Sequence, residues 1–238
     1  MTTTTSHPET AEHVPAQTPL QRSPHIGGTF LPAGHPPLRT NGEAGPGHRA
    51  PVLAIAGGTA SGKSTVAEAL AAQWPTTVTL IHLDDFYVPA HEPYRGVRTL
   101  SATGVETLDW NHPGSIDVDA AAAEIEAAAT SGRHRIVVVE GLFALTLHKI
   151  AAHATWKTYV DAPDDIRLAR KLVRKIEVQH QDPLVSLRNY LLIGRDRHTE
   201  HVAPSRHRAD LVLDGTMPTA DLLTAINQLV KAHLPITT

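Results

Sequence analysis

From about residue 50 onwards, short apolar runs alternate with stretches whose apolar positions follow a helical period. The runs are typical of buried strands and comprise Val52 to Ala56, Val78 to Leu83, Ile136 to Val139, Trp156 to Val160 and Leu211 to Leu213. Helices are predicted at Lys63 to Gln73, Val118 to Thr130, Asp164 to Val178, Leu184 to Glu200 and Ala220 to Ala232. Alternation of this kind predicts right-handed βαβ units and an α/β fold with a five-stranded parallel sheet. Ligands of such sheets bind outside the carboxyl ends of the strands.

The first 49 residues show neither the two-residue period of a strand nor the 3.6-residue period of a helix. They are rich in Thr, Pro, Gly and His and cannot bury enough apolar surface to offset their ordering entropy. We therefore expect a disordered tail over residues 1–49 and one domain over residues 50–238. The tail histidines are widely spaced, which favours a solvated segment over a metal site; they are His7, His13, His25, His35 and His48.

The amino-acid composition excludes several classes of function and of site. Apolar residues make up 41% of the chain and charged residues 19%, as in globular proteins with a real core. The formal net charge of -3 provides no basic field for nucleic acid, and the absence of cysteine excludes disulfides, thiolate metal sites and a cysteine nucleophile. No apolar run approaches the roughly 18 residues of a membrane span, and the N-terminus lacks a signal-peptide core. We expect a cytoplasmic protein without nucleic acid or membrane partners.

A phosphate-binding loop follows the first predicted strand directly. Residues 57–65 read GGTASGKST and satisfy G-x-x-x-x-G-K-[ST], with a strand before and a helix behind. Glycine lets the backbone turn tightly and bring its N–H groups to phosphate oxygens, the lysine reaches the β- and γ-phosphates, and the hydroxyl behind it is offered to Mg²⁺. The residues predicted to bind the nucleotide are Gly57, Gly58, Thr59, Ala60, Ser61, Gly62, Lys63, Ser64 and Thr65.

Carboxylates end the second and third predicted strands. Asp84 and Asp85 follow the second, where a carboxylate can aim an attacking hydroxyl and accept its proton, and Asp84 is our candidate base. The alternative is that both merely cap a turn. Glu140 ends the third strand in the manner of a Walker B acid and is predicted to hold Mg²⁺ together with Ser64, although it could instead pair with a lysine.

The helix predicted from Asp164 carries Arg167, Arg170 and Arg174 at i, i+3 and i+7, with Lys171 and Lys175 on the adjoining stripe. A lid that closes over a phosphoryl-transfer site needs such cations to neutralise the transferring group and the leaving ADP. Periodicity alone also allows a solvated surface face.

The ordered set of motifs GGTASGKST, LDDFY, DWNHP, VVVVEG, VDAPDDIRLARKLVRK and HVAPSRHRADLVLDG resembles the uridine kinase and phosphoribulokinase branch of P-loop kinases, most closely the uridine-cytidine kinases. The resemblance spans about residues 52 to 215. It implies a nucleoside-monophosphate-kinase-like fold with a mobile helical lid, and transfer of phosphate from ATP or GTP, with Mg²⁺, to a ribose 5'-hydroxyl. Because uridine kinases often form oligomers, it also implies a homo-oligomer.

The same resemblance assigns roles to individual residues. Asp84 matches the catalytic aspartate, Tyr87 an aromatic residue beside the substrate, and Glu140 the magnesium-linked glutamate. Arg167, Arg170 and Arg174 match lid residues that contact ribose and phosphates, so Arg170 and Arg174 join Asp84 and Lys63 as catalytic candidates, and Arg167 is a substrate-binding one. Asn111 stands where an aspartate usually binds the ribose hydroxyls.

Departures from the family pattern leave the acceptor open. The hairpin that carries a Tyr and a His for pyrimidine recognition is missing between Pro113 and Arg135, and Gln179-His180-Gln181 replaces an Arg-Gly pair of the lid. Nicotinamide riboside, pantothenate or a sugar phosphate are alternative acceptors, and a non-catalytic ATP-binding regulator is a further alternative. His112 is predicted to make a structural hydrogen bond.

Overall fold

The structure is a computed structural model that describes residues 49–92 and 94–231. The predicted disordered tail, apart from Arg49, lies outside the described residues. None of the helices in the described part of the chain combines the length and the apolar character that a membrane span requires.

A five-stranded, fully parallel sheet organises the domain in the order β2-β5-β1-β6-β7. Its strands are β1 (Val52–Gly57), β2 (Val78–His82), β5 (Ile136–Glu140), β6 (Trp156–Asp161) and β7 (Leu211–Asp214). Every residue of β1 and β5 is buried because helices cover both faces, and this explains why their sequences read as continuous apolar runs. All five strands occur where the pattern predicted them, with ends that differ by at most one residue.

Helices cover the two faces of the sheet with separate cores. The alternation of β1 sends Ala54 and Ala56 to one face, where they pack with Ile125 of α2 (Val118–Thr130) and with Phe143. It sends Leu53 and Ile55 to the other face, where α1 (Lys63–Gln73) and α7 (Thr219–Lys231) complete the core. Asp117 is the N-cap of α2, since its side chain accepts a hydrogen bond from the N–H of Ala120 at 3.0 Å.

Several short elements were not predicted. Strands β3 (Arg98–Leu100) and β4 (Glu106–Leu108) form an antiparallel hairpin, and α3 (His148–Ala151) is a single helical turn. Short 3₁₀ turns occupy Leu83–Phe86 and Pro113–Ser115. Each is too short to produce a periodic signal in the sequence.

The two helices behind β6 differ in regularity. Helix α4 (Asp164–Glu177) is regular and begins at Asp164, as predicted, with Pro163 as its N-cap. The second is a longer, composite helix over residues 183–202, which we call the wall helix. It consists of α5 (Pro183–Asn189), a π-helical turn at Tyr190–Gly194, the short α6 (Arg195–Arg197) and a second π-helical turn at His198–Val202. A 3₁₀ segment at Ala203–Arg208 then leads to β7.

Truncation of Ile125 to alanine is expected to lower the free energy of unfolding by about 2–5 kcal/mol. Its side chain is fully buried between α2 and the sheet, so the substitution leaves a cavity. Glu124→Ala on the exposed side of the same helix is the control and should change stability little. Urea unfolding followed by circular dichroism measures both variants, and equal midpoints would show that α2 does not depend on this contact.

Candidate active site

The phosphate loop joins the end of β1 to the start of α1. Gly62, with φ of 105°, precedes the first residue of α1 in a left-handed conformation that favours glycine. Ala60 is also left-handed, with φ of 61°, a position that the motif does not reserve for glycine. Ser61 is fully buried, and among the described residues its Oγ has no hydrogen-bond partner. The loop thus leads into the N-terminus of α1, where unpaired backbone N–H groups can bind an anion.

Glu140 is the centre of a buried polar cluster at the carboxyl end of β5. The carboxylate is 3% exposed and accepts a hydrogen bond from Ser64 Oγ at 3.1 Å. Lys63 Nζ lies 3.7 Å from Oε2, and His82 Nδ1 lies 2.7 Å from Oε1. The structure therefore brings Lys63, Ser64 and Glu140 together as predicted. Glu140 thus contacts Ser64, with which it is predicted to hold Mg²⁺, and it also pairs with Lys63, which is the alternative.

His82 is a member of this cluster that the sequence reasoning missed. It is the last residue of β2 and stands in register with Glu140 on the neighbouring strand. The hydrogen bond to Glu140 raises the pKa of His82 against the opposing effect of burial. Burial alone would raise the pKa of Glu140, but the hydrogen bond from His82, the charges of Lys63 and His82 and the Ser64 contact together lower it. Glu140 is thereby held as a carboxylate.

Asp84 lies in the 3₁₀ turn that follows β2, next to the same cluster. Its side chain opens to solvent, yet the protein packed around it desolvates the carboxyl group and raises its pKa. The positive charge of Lys63 opposes that shift and the negative charge of Glu140 adds to it, so the three groups share one electrostatic environment. Within the described residues, no side-chain hydrogen bond caps the start of this turn.

Helix α4 stands between two cavities that both reach the phosphate loop. One cavity, of about 300 Å³, is lined by Lys63 and Ser64 of the loop, by Arg170 and Arg174 of α4, and by Gly215. The other, of only about 30 Å³, lies on the opposite side of α4. Its lining includes Thr59, Asn111, Arg167, Lys171, Tyr190 and His198. The arginines predicted to form one cationic stripe are therefore divided between the two cavities, which we call the nucleotide cavity and the acceptor cavity.

Arg167 is buried and already engaged by the protein. Its guanidinium donates to the backbone oxygen of Ala162 at 3.1 Å and pairs with Asp164. It also lies against the phosphate loop, where a Cβ on Gly58 would come within 2.5 Å of Nη1. The second residue of the GG pair thus provides room for this guanidinium. Arg170 and Arg174 are exposed, and Arg170 Nη1 donates to Gly215 O at 2.8 Å.

Cations crowd the wall of the acceptor cavity. Burial together with Lys175, Arg174 and Arg167 lowers the pKa of Lys171. Among the described residues no carboxylate pairs with Lys171. Burial and the charge of Arg167 lower the pKa of His198 to about 4, so this imidazole is neutral near pH 7.

Of the remaining predicted substrate residues, Asn111 lines the acceptor cavity and Tyr87 does not. Tyr87 donates its hydroxyl to Trp110 O at 2.6 Å, and the two rings meet edge to face with centroids 4.9 Å apart. Burial, with Asp84 and Asp109 nearby, raises the pKa of Tyr87, so the phenol stays protonated. Asn111 is half-buried and lines the cavity itself. His112 accepts the N–H of Gly114 at 2.9 Å through Nδ1, which is the predicted structural hydrogen bond.

None of the described residues of the loop after β2 lines either cavity. Tyr94 is 98% exposed, and Arg95 pairs with Glu92 and Asp117. The hairpin expected to be missing between Pro113 and Arg135 is indeed replaced by α2.

Comparison with known proteins agrees with this geometry. The profile of the Phosphoribulokinase / Uridine kinase family matches residues 118–222. A uridine kinase of Brevibacillus brevis is 26% identical over 185 residues, which are 68% of this chain and 83% of that protein. A uridine kinase of Deinococcus deserti is 26% identical over 206 residues, or 75% of this chain and 96% of the relative.

The sheet and its helices also superpose on a solved kinase. The crystal structure of a sugar kinase from Janibacter sp. HTCC2649 aligns with a TM-score of 0.50 at 16% identity, covering 79% of this chain and 99% of that one. At this identity the similarity concerns the fold. Together, the phosphate loop, the parallel sheet and the family match confirm the resemblance inferred from the motifs: the chain is a P-loop small-molecule kinase that resembles the phosphoribulokinase / uridine kinase family.

Proposed function

We propose that this kinase transfers the γ-phosphate of ATP to a hydroxyl of a nucleoside-like acceptor, the ribose 5'-hydroxyl being the favoured site. The observation that carries the proposal is the position of Asp84. It shares the electrostatic environment of Lys63 and Glu140 at the carboxyl edge of the sheet, beside the phosphate loop that both cavities reach. A carboxylate with a raised pKa beside a phosphate loop has a use in group transfer but none in nucleotide sensing, which disfavours a non-catalytic regulator.

The nucleotide cavity has the size and the chemistry for a triphosphate. Its volume of about 300 Å³ falls at the lower end of the range for small-molecule sites. Backbone N–H groups of residues 57–65 and the Lys63 ammonium face the phosphates, and Ser61 Oγ offers a further buried donor. Arg170 and Arg174 approach from α4 and add positive charge around the leaving ADP. The same groups accept the phosphates of GTP.

Ser64 and Glu140 are the residues that would hold Mg²⁺. Within the described residues no cluster of three or more His, Cys, Asp or Glu side chains could cage a metal ion. A hydroxyl and a carboxylate 3.1 Å apart beside a phosphate loop nevertheless fit Mg²⁺, which takes one or two protein ligands together with phosphate oxygens and water. When bound, the ion supplies positive charge to the β- and γ-phosphates. The low pKa of Glu140 keeps this ligand ionised.

The chemical step proposed for this site is an in-line displacement. The acceptor oxygen forms a bond to the γ-phosphorus, the bond to the β–γ bridging oxygen breaks, and ADP leaves. Asp84 orients the attacking hydroxyl and takes up its proton, which its raised pKa favours. Lys63 stabilises the negative charge on the transferring group. Most of the rate enhancement then comes from positioning and charge neutralisation.

Two features bear on the identity of the acceptor. The Tyr87–Trp110 pair and the Asn111 amide suit a ribosyl compound, because an aromatic edge can flank a base and an amide can bond sugar hydroxyls. A second candidate is an anionic acceptor such as a sugar phosphate or pantothenate. It is favoured by the lack of a base-recognition hairpin before β5 and by the Arg167 and Lys171 side chains at the cavity wall. A homo-oligomeric, cytoplasmic enzyme remains the expectation.

Substitution of Asp84 by asparagine is expected to lower acceptor-dependent turnover by about 10²–10⁴-fold while ATP affinity stays within about twofold, since the amide cannot accept the proton. ADP release with ATP, Mg²⁺ and a panel of uridine, cytidine, nicotinamide riboside, pantothenate and sugar phosphates measures turnover. Asp85→Asn, in the same turn, is the control and should retain activity. Undiminished turnover in Asp84→Asn would remove this residue from the mechanism, and turnover of an anionic acceptor alone would select the second candidate.

Substitution of Gly215 by alanine is expected to weaken ATP binding by at least about tenfold, or roughly 1.4 kcal/mol. A Cβ at this position would lie 2.3 Å from the backbone oxygen of Ser61 and 3.0 Å from that of Asp161, so the phosphate loop must move. Gly104→Ala in the β3–β4 hairpin, where a Cβ meets no atom within 4 Å, is the control. Calorimetric titration with ATP compares the variants; wild-type affinity in Gly215→Ala would mean that the loop yields without cost.

A further inference from the structure

The wall helix is joined to the opposite side of the acceptor cavity by polar contacts that the proposed chemistry does not use. Asn189 Oδ1 accepts the N–H of Ala102 at 2.8 Å, at the turn of the β3–β4 hairpin. Arg197 Nε donates to Asp109 Oδ2 at 2.8 Å. The rings of His112 and His201 meet edge to face with centroids 4.5 Å apart. We call these contacts the seam, since they close one side of the acceptor cavity.

Asp109 is the central residue of the seam. Its carboxylate is 1% exposed, and besides Arg197 it accepts the backbone N–H of Asn111 at 3.0 Å through Oδ1. One carboxylate thus holds both the loop that carries the cavity-lining Asn111 and the helix that carries the cavity-lining His198. Arg197 is held on its other side by Glu200, at 3.0 Å. A buried carboxylate with two partners tolerates the loss of neither, because it would remain charged and unpaired.

The two π-helical turns explain how one helix can serve both the seam and the cavity. A π turn contains more residues than the 3.6 of an α turn, so side chains spaced by four stay close to one line along this mixed helix. Tyr190, Gly194, His198 and Val202 follow that spacing and line the cavity. Asn189, Arg197 and His201 follow the same spacing one residue earlier and form the seam. A rotation of the helix would disturb both rows together.

We propose that Arg197 is a positioning residue for acceptor binding. Through Asp109 it fixes the wall helix against the backbone of Asn111. The distance between the wall helix and the Asn111 loop, and the rotation of the helix about its axis, therefore stay constant. The proposal rests on the assignment of this cavity to the acceptor in the proposed function. Arg197 touches no substrate in this scheme, and the nucleotide cavity, on the other side of α4, does not depend on it.

Arg197→Gln is expected to raise KM for the acceptor by tenfold or more, with kcat changed less than threefold and KM for ATP unchanged. Arg197→Lys retains a charge for Asp109 but loses the fixed guanidinium geometry, so its KM should be intermediate. The double variant Asp109→Asn/Arg197→Gln replaces the ion pair by two amides and should recover at least part of the loss, because no unpaired charge remains. Arg195→Gln, exposed on the same helix, is the control.

Hydrogen exchange read by mass spectrometry provides the second measurement and needs no acceptor. Exchange of residues 109–115 and 190–202 should rise in Arg197→Gln and stay at the wild-type level in Arg195→Gln. Unchanged exchange in Arg197→Gln would overturn the positioning role of Arg197, and this outcome can be read without any acceptor. Failure of the wild type to turn over any acceptor would count against the proposed function and not against this role. Raised exchange with wild-type KM for the acceptor, or a loss confined to kcat or to KM for ATP, would also overturn the proposal.

Discussion

A buried carboxylate at the end of the central strands determines the arrangement of this site. Glu140 lies inside the protein as an anion, and a buried charge is tolerated only when it is paired and hydrogen-bonded. Its partners come from two places in the fold: His82 from the end of β2, and Lys63 and Ser64 from the first turn of α1, directly behind the phosphate loop. Satisfying this one carboxylate therefore fixes the phosphate loop relative to two neighbouring strands before any nucleotide binds.

The same cluster shifts the pKa values of Glu140 and Asp84, the two acids at the sheet edge, in opposite directions. Direct hydrogen bonds and nearby cations outweigh burial and lower the pKa of Glu140, whereas Asp84 lacks such bonds and burial raises its pKa. The negative charge of Glu140 adds to the second shift. Paired acids whose environments move them in opposite directions are suited to different tasks. In the proposed mechanism the permanently ionised acid binds the metal, and the one that protonates more easily handles the acceptor proton.

The sequence predicts the parts of this molecule that depend on local pattern. Buried parallel strands read as apolar runs, and the glycine loop has fixed spacing, so all five strands and the grouping of Lys63, Ser64 and Glu140 could be predicted. His82 could have been found from strand register, because it pairs with Glu140 once β2 and β5 are set side by side. The Asp109–Arg197 contact joins residues 88 apart in the chain and leaves no periodic trace. Similarly, the division of the α4 arginines between two cavities depends on tertiary packing rather than on their spacing.

The position of α4 links the two cavities mechanically. Arg167 faces the acceptor cavity while its guanidinium lies against Gly58 of the phosphate loop, and Arg170 one turn away bonds Gly215 beside the nucleotide cavity. The acceptor cavity, at about 30 Å³, holds little more than one water molecule. Under the proposed function, an acceptor larger than this space requires an outward shift of α4 or of the wall helix. A shift of α4 would also draw Arg167 from the phosphate loop, whereas a shift of the wall helix would loosen the seam and leave the phosphate loop intact. A shift of the wall helix therefore disturbs fewer of the contacts at the phosphate loop.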